Sequence, residues 1–429
     1  MEQFIEQFNA ILWGMPMLVF LLACSVYFTV RTRFFQILKI KKIVKTVVGS
    51  FRAPGDGISP FTAMAAALGG TLGTGNIIGT ASAIVLGGPG AVFWMVASAF
   101  FSMMTKYAEI LFAVKYRQTD SAGRFHGGPM YYMEKGLNMK FLGVLFALIG
   151  MVASLGMGNF TQANAISASF HTGFFSPALL TGLLLCAVLF FSLLGNTKRV
   201  FKIVERLIVP AGLLFVLGTV IVIVYYRSNL PAALTRIVQG AFSLKAVAGG
   251  GLGVAMRYGI SRGLFTNEAG LGSAPIAHAA ADAKNPQSQA IMGIFEVFAD
   301  TIVMCSLTSL MILCSGADRA ALSPADMASA AFLSVFGKGG LVFVTLSVGV
   351  FGIASMLSWS VYGAACVKYL FGGKWVKTYQ TFFCLAGFFG CLLSLDLVWG
   401  LADTFNALML LPNLAAILLL SLKKSHRLI

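Results

Sequence analysis

The chain has 429 residues, of which 58% are hydrophobic and only 11% charged, and it carries a net charge of +16. So small a charged share excludes a water-soluble globular protein of this size, where about a quarter of residues are charged; the chain reads as an all-α polytopic membrane protein. The basic excess does not point to nucleic acid, because membrane proteins concentrate Lys and Arg in loops that face an anionic leaflet.

The opening MEQFIEQFNA is acidic and lacks the basic region of a signal peptide, and the apolar run after it is long enough to remain as a span. A helix needs about 20 apolar residues to cross ~30 Å of hydrocarbon. Runs of that kind fall at 10–30, 60–86, 91–113, 141–170, 178–195, 207–226, 241–262, 290–314, 341–367, 378–396 and 398–421, which predicts eleven spans. An odd number places the termini on opposite sides. With the N-terminus outside, the inner loops hold Arg31 to Arg52 (seven Lys or Arg), Lys115 to Lys140 (five), Lys198 to Arg206 (four), Lys368 to Lys377 (three) and Lys423 to Arg427 (three). Only Arg227, Arg236, Arg319 and Lys338 face the other side, so the charge asymmetry predicts N-out, C-in. The segment 34–51, FFQILKIKKIVKTVVGSF, reads as an amphipathic helix lying on the inner surface.

In the second predicted span, GGTLGTGNIIGT (69–80) places five glycines and an asparagine where a continuous helix is expected. No strand precedes it and no βαβ alternation follows, which removes a dinucleotide loop. Small residues at this spacing also suit close packing of two membrane helices. A second interruption, GGGLGVAMRYGISRGLFTNEAGLGS (249–273), adds Arg257, Arg262, Asn267 and Glu268 and is too polar to face lipid. Broken backbone at membrane depth is tolerated only where protein buries it or it lines a cavity. Two breaks therefore predict an internal polar site. They lie in spans two and seven, an odd offset, so the broken helices should run in opposite directions. Spans two to six and seven to eleven then form a five-plus-five inverted repeat with span one as an extra N-terminal helix. The corresponding divisions are 1–58, 59–226 and 227–429. Paired glycine-broken spans in two inverted halves point to the binding site of a secondary transporter. A half-helix that starts at mid-membrane offers N–H groups to a carboxylate, and one that ends there offers carbonyls to a cation, so a zwitterionic amino acid with Na⁺ suits both.

The segments GTLGTGNIIGTASAIVLGGPGAVFW (70–94), GMGNFTQANAIS (156–167), GISRGLFTNEAGLGSAPIAHAAA (259–281) and SMLSWSVYG (355–363) resemble the signature segments of the alanine/glycine:cation (sodium:alanine) symporter family, with its leucine-transporter type of fold. The resemblance covers essentially the whole chain. It implies Na⁺-coupled, sometimes H⁺-coupled, uptake of small neutral amino acids, chiefly alanine and glycine, across the bacterial cytoplasmic (inner) membrane by a protein that functions as a monomer. No cofactor is implied beyond Na⁺ as the coupling ion. By this resemblance Gly73, Thr74, Gly75 and Asn76 hold the substrate carboxylate, Gln162 contacts the substrate, Phe265 caps the pocket and Asn267 lines it. Na⁺ is ligated by the carbonyls of Gly69, Leu72 and Phe351 and by the Ser355 hydroxyl. Ser355 stands where relatives commonly have threonine and keeps the oxygen. Ala354 offers no hydroxyl where the leucine-transporter type has one, which leaves a five-ligand site short unless Ser358 serves.

Other buried polar residues have structural expectations. Glu268 is expected to pair with Arg262, and Lys106 with Glu109 along one helix. Glu296 and Asp300, four apart, share a helix face, either as a proton or ion relay or paired with basic residues of a neighbouring helix. An intramembrane hydrolase would need a dyad such as Asp300 with Asp396, or His278 with a serine, and no nucleophile motif surrounds the serines. A channel would require rings of carbonyls or charges, and neither repeats here. The four histidines show no metal-ligand spacing, and the seven cysteines, none in a CxxC pair, read as small packing residues.

Overall fold

The computed structural model describes residues 2–51, 57–242, 251–423 and 428. Arg52, Gly249, Gly250, His426, Arg427 and the side chain of Asp396 lie outside the described residues. The fold is helical, with one two-residue antiparallel ribbon pairing Gln118–Thr119 with Phe125–His126. Among the described residues, five helices are long and apolar enough to cross a membrane by length and composition: Lys140–Phe174, Thr197–Tyr225, Pro286–Ser315, Lys338–Phe371 and Leu397–Leu422. Of the other apolar runs, 91–113 lies on the continuous helix Gly90–Lys115, and several lie on shorter or broken helices, among them Met15–Arg31, Ile78–Gly87 and Ala178–Leu193.

The helix starts follow from local chemistry. Ser59 caps Pro60–Thr71 by accepting from the Thr62 N–H (3.0 Å), with proline at the first helical position, where it loses no helical bond. Asn285 and Pro286 repeat the device at Pro286–Val297.

Helices five spans apart pack antiparallel, as the odd offset of the breaks requires. The Asp282 N–H donates to Ile58 O (2.7 Å), joining the end of the second broken helix to the entry of the first, while Gly87 at the other end packs on Tyr258. Lys106 of Gly90–Lys115 meets Glu296 of Pro286–Val297. Along Lys140–Phe174, Gly143, Gly158 and Gly173 pack on Tyr369, Trp359 and Thr345, so the contacts on Lys338–Phe371 descend in number as those on its partner rise. Gly182 likewise meets Phe388, and Gly387 meets Leu189. The extra N-terminal helix Met15–Arg31 packs on Gly90–Lys115 through Ser25, whose hydroxyl lies 3.3 Å from that of Ser102 and accepts from Thr105 (3.1 Å).

The expected amphipathic segment forms Phe35–Leu38 and Ile40–Ser50. Ile43, Val47 and Ser50 face the protein, while Ile40, Val44, Val48 and Phe51 form an exposed apolar stripe beside Lys41, Lys42 and Lys45. Lys284, in the turn after the second break, is also exposed. All seven cysteines are free.

Candidate substrate and ion site

The first broken helix ends at Thr71, and a single 3₁₀ turn, Thr74–Asn76, precedes its continuation as Ile78–Gly87. The Gly73 N–H turns back to Thr71 O (2.7 Å), and the Thr74 N–H leaves the helix altogether to donate to Gln162 Oε1 (3.0 Å). The carbonyls of Gly69 and Gly70 are thereby not closed by the donors four residues on, the condition of a helix C-terminus. Ser355 Oγ donates to Gly70 O (3.0 Å), and one turn along the same helix Ser358 Oγ donates to Ala66 O (2.7 Å).

Thr74 Oγ1 also donates to Gln162 Oε1 (3.0 Å), so this amide oxygen takes two donors from the break. A Cβ on Gly73 would stand 2.9 Å from Gln162 Oε1 and 3.2 Å from Ser355 Oγ, which explains why this position is glycine. Gln162 is carried just past a π-helical turn, Gly156–Phe160, a distortion frequent at functional sites. Gly73, Thr74, Gln162 and Ser355 therefore converge, with Gly69, Leu72 and Phe351 buried beside them.

The second broken helix, Gly251–Asn267, gives way to a stretch in which Glu268, Gly270 and Gly272 all have positive φ (55°, 91° and 84°) before the half-helix Ala274–Ala279. Two glycines carry that conformation without strain, and Glu268 is held in it by its partners. Ser273 Oγ donates to Glu268 Oε2, and Trp359 Nε1 donates to Glu268 Oε1 (2.9 Å). Arg262 is not its partner, contrary to the sequence expectation. Arg262 forms two 3.0 Å bonds to the Asp403 carboxylate, a planar fork meeting two oxygens, and its guanidinium lies 5.0 Å from the Trp399 ring centroid. Trp399 stacks on Phe265 at 4.8 Å, and Phe265 with Thr266 crowds the place a Cβ on Gly75 would occupy (3.4 and 3.1 Å). Phe265 thus covers Gly75 from one side.

Asn76 and Asn267 point away from Gln162. Asn76 Nδ2 donates to Asp300 Oδ1 (2.7 Å), Thr301 Oγ1 donates to Asp300 Oδ2 (2.7 Å), and Asn267 Nδ2 donates to Thr301 Oγ1 (3.1 Å). Asp300 therefore ties the two breaks together through a π-helical turn, Phe298–Cys305. The expected Lys106–Glu109 pair is replaced by contacts across helices: Lys106 goes to Glu296 and to Asn267 O, while Glu109 accepts from Asn413 Nδ2 (2.9 Å). Glu296 also accepts from His278 Nε2 (3.0 Å), which pairs it with basic residues rather than with Asp300 in a relay.

On the side opposite Arg262, Arg117 donates to the carbonyls of Ala281 (2.6 Å) and Ala283 (2.9 Å) past the end of the half-helix. Sequence reasoning missed Arg117, Trp399 and Asp403. The last two are four apart on one helix face, the available signal. No group of His, Cys, Asp and Glu suited to a metal ion occurs among the described residues.

Two antiparallel broken helices, with polar side chains gathered where they unwind, define a polytopic helical membrane transporter. The chain belongs to the sodium:alanine symporter family, whose sequence pattern matches residues 1–428. It is 40% identical over 424 residues to "Sodium/alanine symporter AgcS" of Methanococcus maripaludis, covering 96% of this chain and 93% of that one. It is 37% identical to "Probable sodium/glutamine symporter GlnT" of Bacillus subtilis, covering 98% and 89%. Among solved structures, MhsT in complex with L-phenylalanine superposes with a TM-score of 0.64 at 17% identity, covering 86% of this chain and 90% of that one, a likeness that speaks to the fold. The protein is a transporter, not an enzyme.

Proposed function

We propose that the protein is a Na⁺-coupled symporter of small neutral amino acids, alanine and glycine, into the bacterial cytoplasm, working as a monomer in the inner membrane with its N-terminus outside and C-terminus inside. The observation that carries this reading is the convergence of Thr74, Gln162 and Ser355 on Gly73. A substrate carboxylate would take the Thr74 N–H and hydroxyl from Gln162 Oε1, and the released amide would turn its own N–H₂ toward the carboxylate. Gly75, covered by Phe265 and Thr266, leaves room only for a small side chain. Gly69 and Leu72 carbonyls, with Phe351 O and the Ser355 hydroxyl, supply hard oxygen donors of the kind a small cation takes. Asn76 and Asn267 support the site indirectly, by fixing both breaks to Asp300 and Thr301. Residues 59–226 and 227–429 act as the two inverted units that rock against each other, and 1–58 forms the flanking helix and surface segment.

Asp300 favours a second reading. It touches both breaks, has no cationic partner among the described residues, and would serve an H⁺-coupled carrier of another small amino acid.

Labelled alanine uptake into proteoliposomes tests both. Concentrative uptake driven by an inward Na⁺ gradient and absent with K⁺ or a proton gradient supports Na⁺ symport. Uptake driven by protons alone transfers the coupling role to Asp300. Failure of alanine and glycine under every gradient, in a preparation that transports another amino acid, removes the substrate assignment.

A further inference from the structure

After the helix Gly90–Lys115 ends, residues 117–128 run across the ends of two elements that carry the candidate site. On one side they hold the second break. Arg117, whose guanidinium lies 3.6 Å from the Phe125 ring centroid, donates to the carbonyls of Ala281 (2.6 Å) and Ala283 (2.9 Å). A Cβ on Gly127 would stand 2.5 Å from Ala279 Cβ, and one on Gly128 2.7 Å from Ile276 Cγ1, so the chain lies directly on the half-helix Ala274–Ala279. On the other side they hold Lys368, in the last turn of Lys338–Phe371, whose ammonium lies 3.2 Å from Asp120 Oδ2 and 2.6 Å from His126 Nε2. Earlier along that same helix, Ser355 and Ser358 reach the carbonyls of the first break. The segment thus clasps the two helix ends to each other.

Its weak point is a single atom. His126 Nε2 lies 2.6 Å from Lys368 Nζ and 2.8 Å from Asp120 Oδ2, and one ring nitrogen cannot serve both. In the neutral ring with its proton on Nδ1, Nε2 accepts from Lys368. In the protonated ring, Nε2–H donates to Asp120 and faces Lys368 as a like charge. Asp120 cannot balance that added charge. Its carboxylate is fixed by the N–H groups of Ala122 and Arg124 (both 3.0 Å), and it already takes Arg124 Nε (3.1 Å) and Lys368. An imidazolium would set three positive groups against one negative. Burial lowers the affinity of His126 for a proton most, Lys368 and Arg124 lower it further, and Asp120 opposes them. A folded value below the unfolded one, near 6.5, means that acid favours the opened clasp. The His126, Asp120 and Lys368 side chains are 26%, 19% and 30% exposed, so protons reach them from water.

We propose that Asp120, His126 and Lys368 form a proton-sensitive clasp at the inner face of the transporter: neutral His126 holds Lys368, and a cytoplasmic proton releases it and eases inward opening. The proposal rests on the orientation and the transport reading given above.

Hydrogen exchange of the purified full-length protein, corrected for the intrinsic effect of acidity on exchange, tests the clasp without reference to substrate. Between about pH 7.5 and about pH 5.5, either side of the ordinary histidine value, protection at residues 118–126, 279–283 and 366–371 should fall together. The expected fall is about threefold, the worth of one partly exposed ion-pair contact. His126→Gln, whose amide both donates and accepts without titrating, should keep its protection at both acidities, and Lys368→Met should show the lower protection at both. Protection that stays level in the parent, that falls equally in His126→Gln, or that falls at 118–126 alone would each overturn the proposal. In right-side-out membrane vesicles under a fixed Na⁺ gradient, acidifying the lumen should speed alanine uptake by the parent and not by His126→Gln. A response to external acid alone would overturn the cytoplasmic placement. Absence of alanine uptake at every acidity would remove the substrate reading while the exchange result still decides the clasp.

Discussion

Lys106 Nζ stands 2.9 Å from Glu296 Oε1, both side chains fully buried, and the same ammonium donates at 2.9 Å to the carbonyl of Asn267. Asn267 ends the helix Gly251–Asn267, so that carbonyl is one of the orphan acceptors of a helix C-terminus, where a cation is favoured. One charge thus fixes the edge of the second break to two flanking helices.

Removing one partner of a buried ion pair leaves the other charge stranded, at a cost of about 3–5 kcal/mol. Lys106→Met should lower the unfolding temperature of the detergent-solubilised protein markedly, and Lys106→Met with Glu296→Met should recover part of the loss. A thermal unfolding curve for Lys106→Met that overlays the parent's would show that the pair holds nothing together.

Gly75 tolerates little addition, because a Cβ there would already lie 3.1 Å from Thr266 and 3.4 Å from Phe265. Gly75→Ala should reduce alanine uptake about tenfold, ~1.4 kcal/mol, and Gly75→Leu should abolish it while leaving the protein inserted. Full uptake by Gly75→Leu would return the glycines to the role of helix packing.

Ser355→Ala removes the hydroxyl that reaches Gly70 O from across the break. The expected result is a rise in the Na⁺ concentration for half-maximal uptake, with Ser355→Thr near the parent. An unchanged Na⁺ dependence in Ser355→Ala would place the ion elsewhere.

Outside the membrane, Asp120 is held well below the usual carboxylate range, first by His126 Nε2 at 2.8 Å and then by the Arg124 N–H and the Lys368 ammonium (3.2 Å). A depressed folded pKa stabilises above the unfolded value near 3.9 and is lost only as pH falls through the folded value. Asp120's own share of the ribbon's hold on Lys368 should therefore persist from pH 7 down to about 4, while His126, held below its ordinary value by burial and by Lys368, takes up its proton within that interval. Asp120→Asn should weaken the hold over that whole interval, read as faster amide exchange at residues 118–126. Identical exchange in parent and variant would dismiss the contact.

Much of this architecture was legible in the order of residues. Hydropathy and Lys/Arg placement marked the helices because hydrocarbon admits no unpaired backbone, and the glycines at 69–80 and 249–273 marked the breaks for the same reason, although the second helix runs on through Gly251–Asn267 and opens only after it. The odd offset between breaks predicted the antiparallel pairing of helices that the contacts Gly143–Tyr369, Gly158–Trp359 and Gly173–Thr345 display. Partnerships among buried charges were a different matter. Helical spacing suggested Lys106 with Glu109, and nearness along the chain suggested Arg262 with Glu268, since pairs close in the chain are the only ones a sequence exhibits. The tertiary structure instead sends Lys106 to Glu296 and Arg262 to Asp403, 190 and 141 positions away. The sequence by itself determined which residues must be buried and where the backbone must open. Only the packing of helices decided which charge meets which, because a buried charge is stabilised by whatever opposite charge lies within a few ångströms, and that distance is set by the fold.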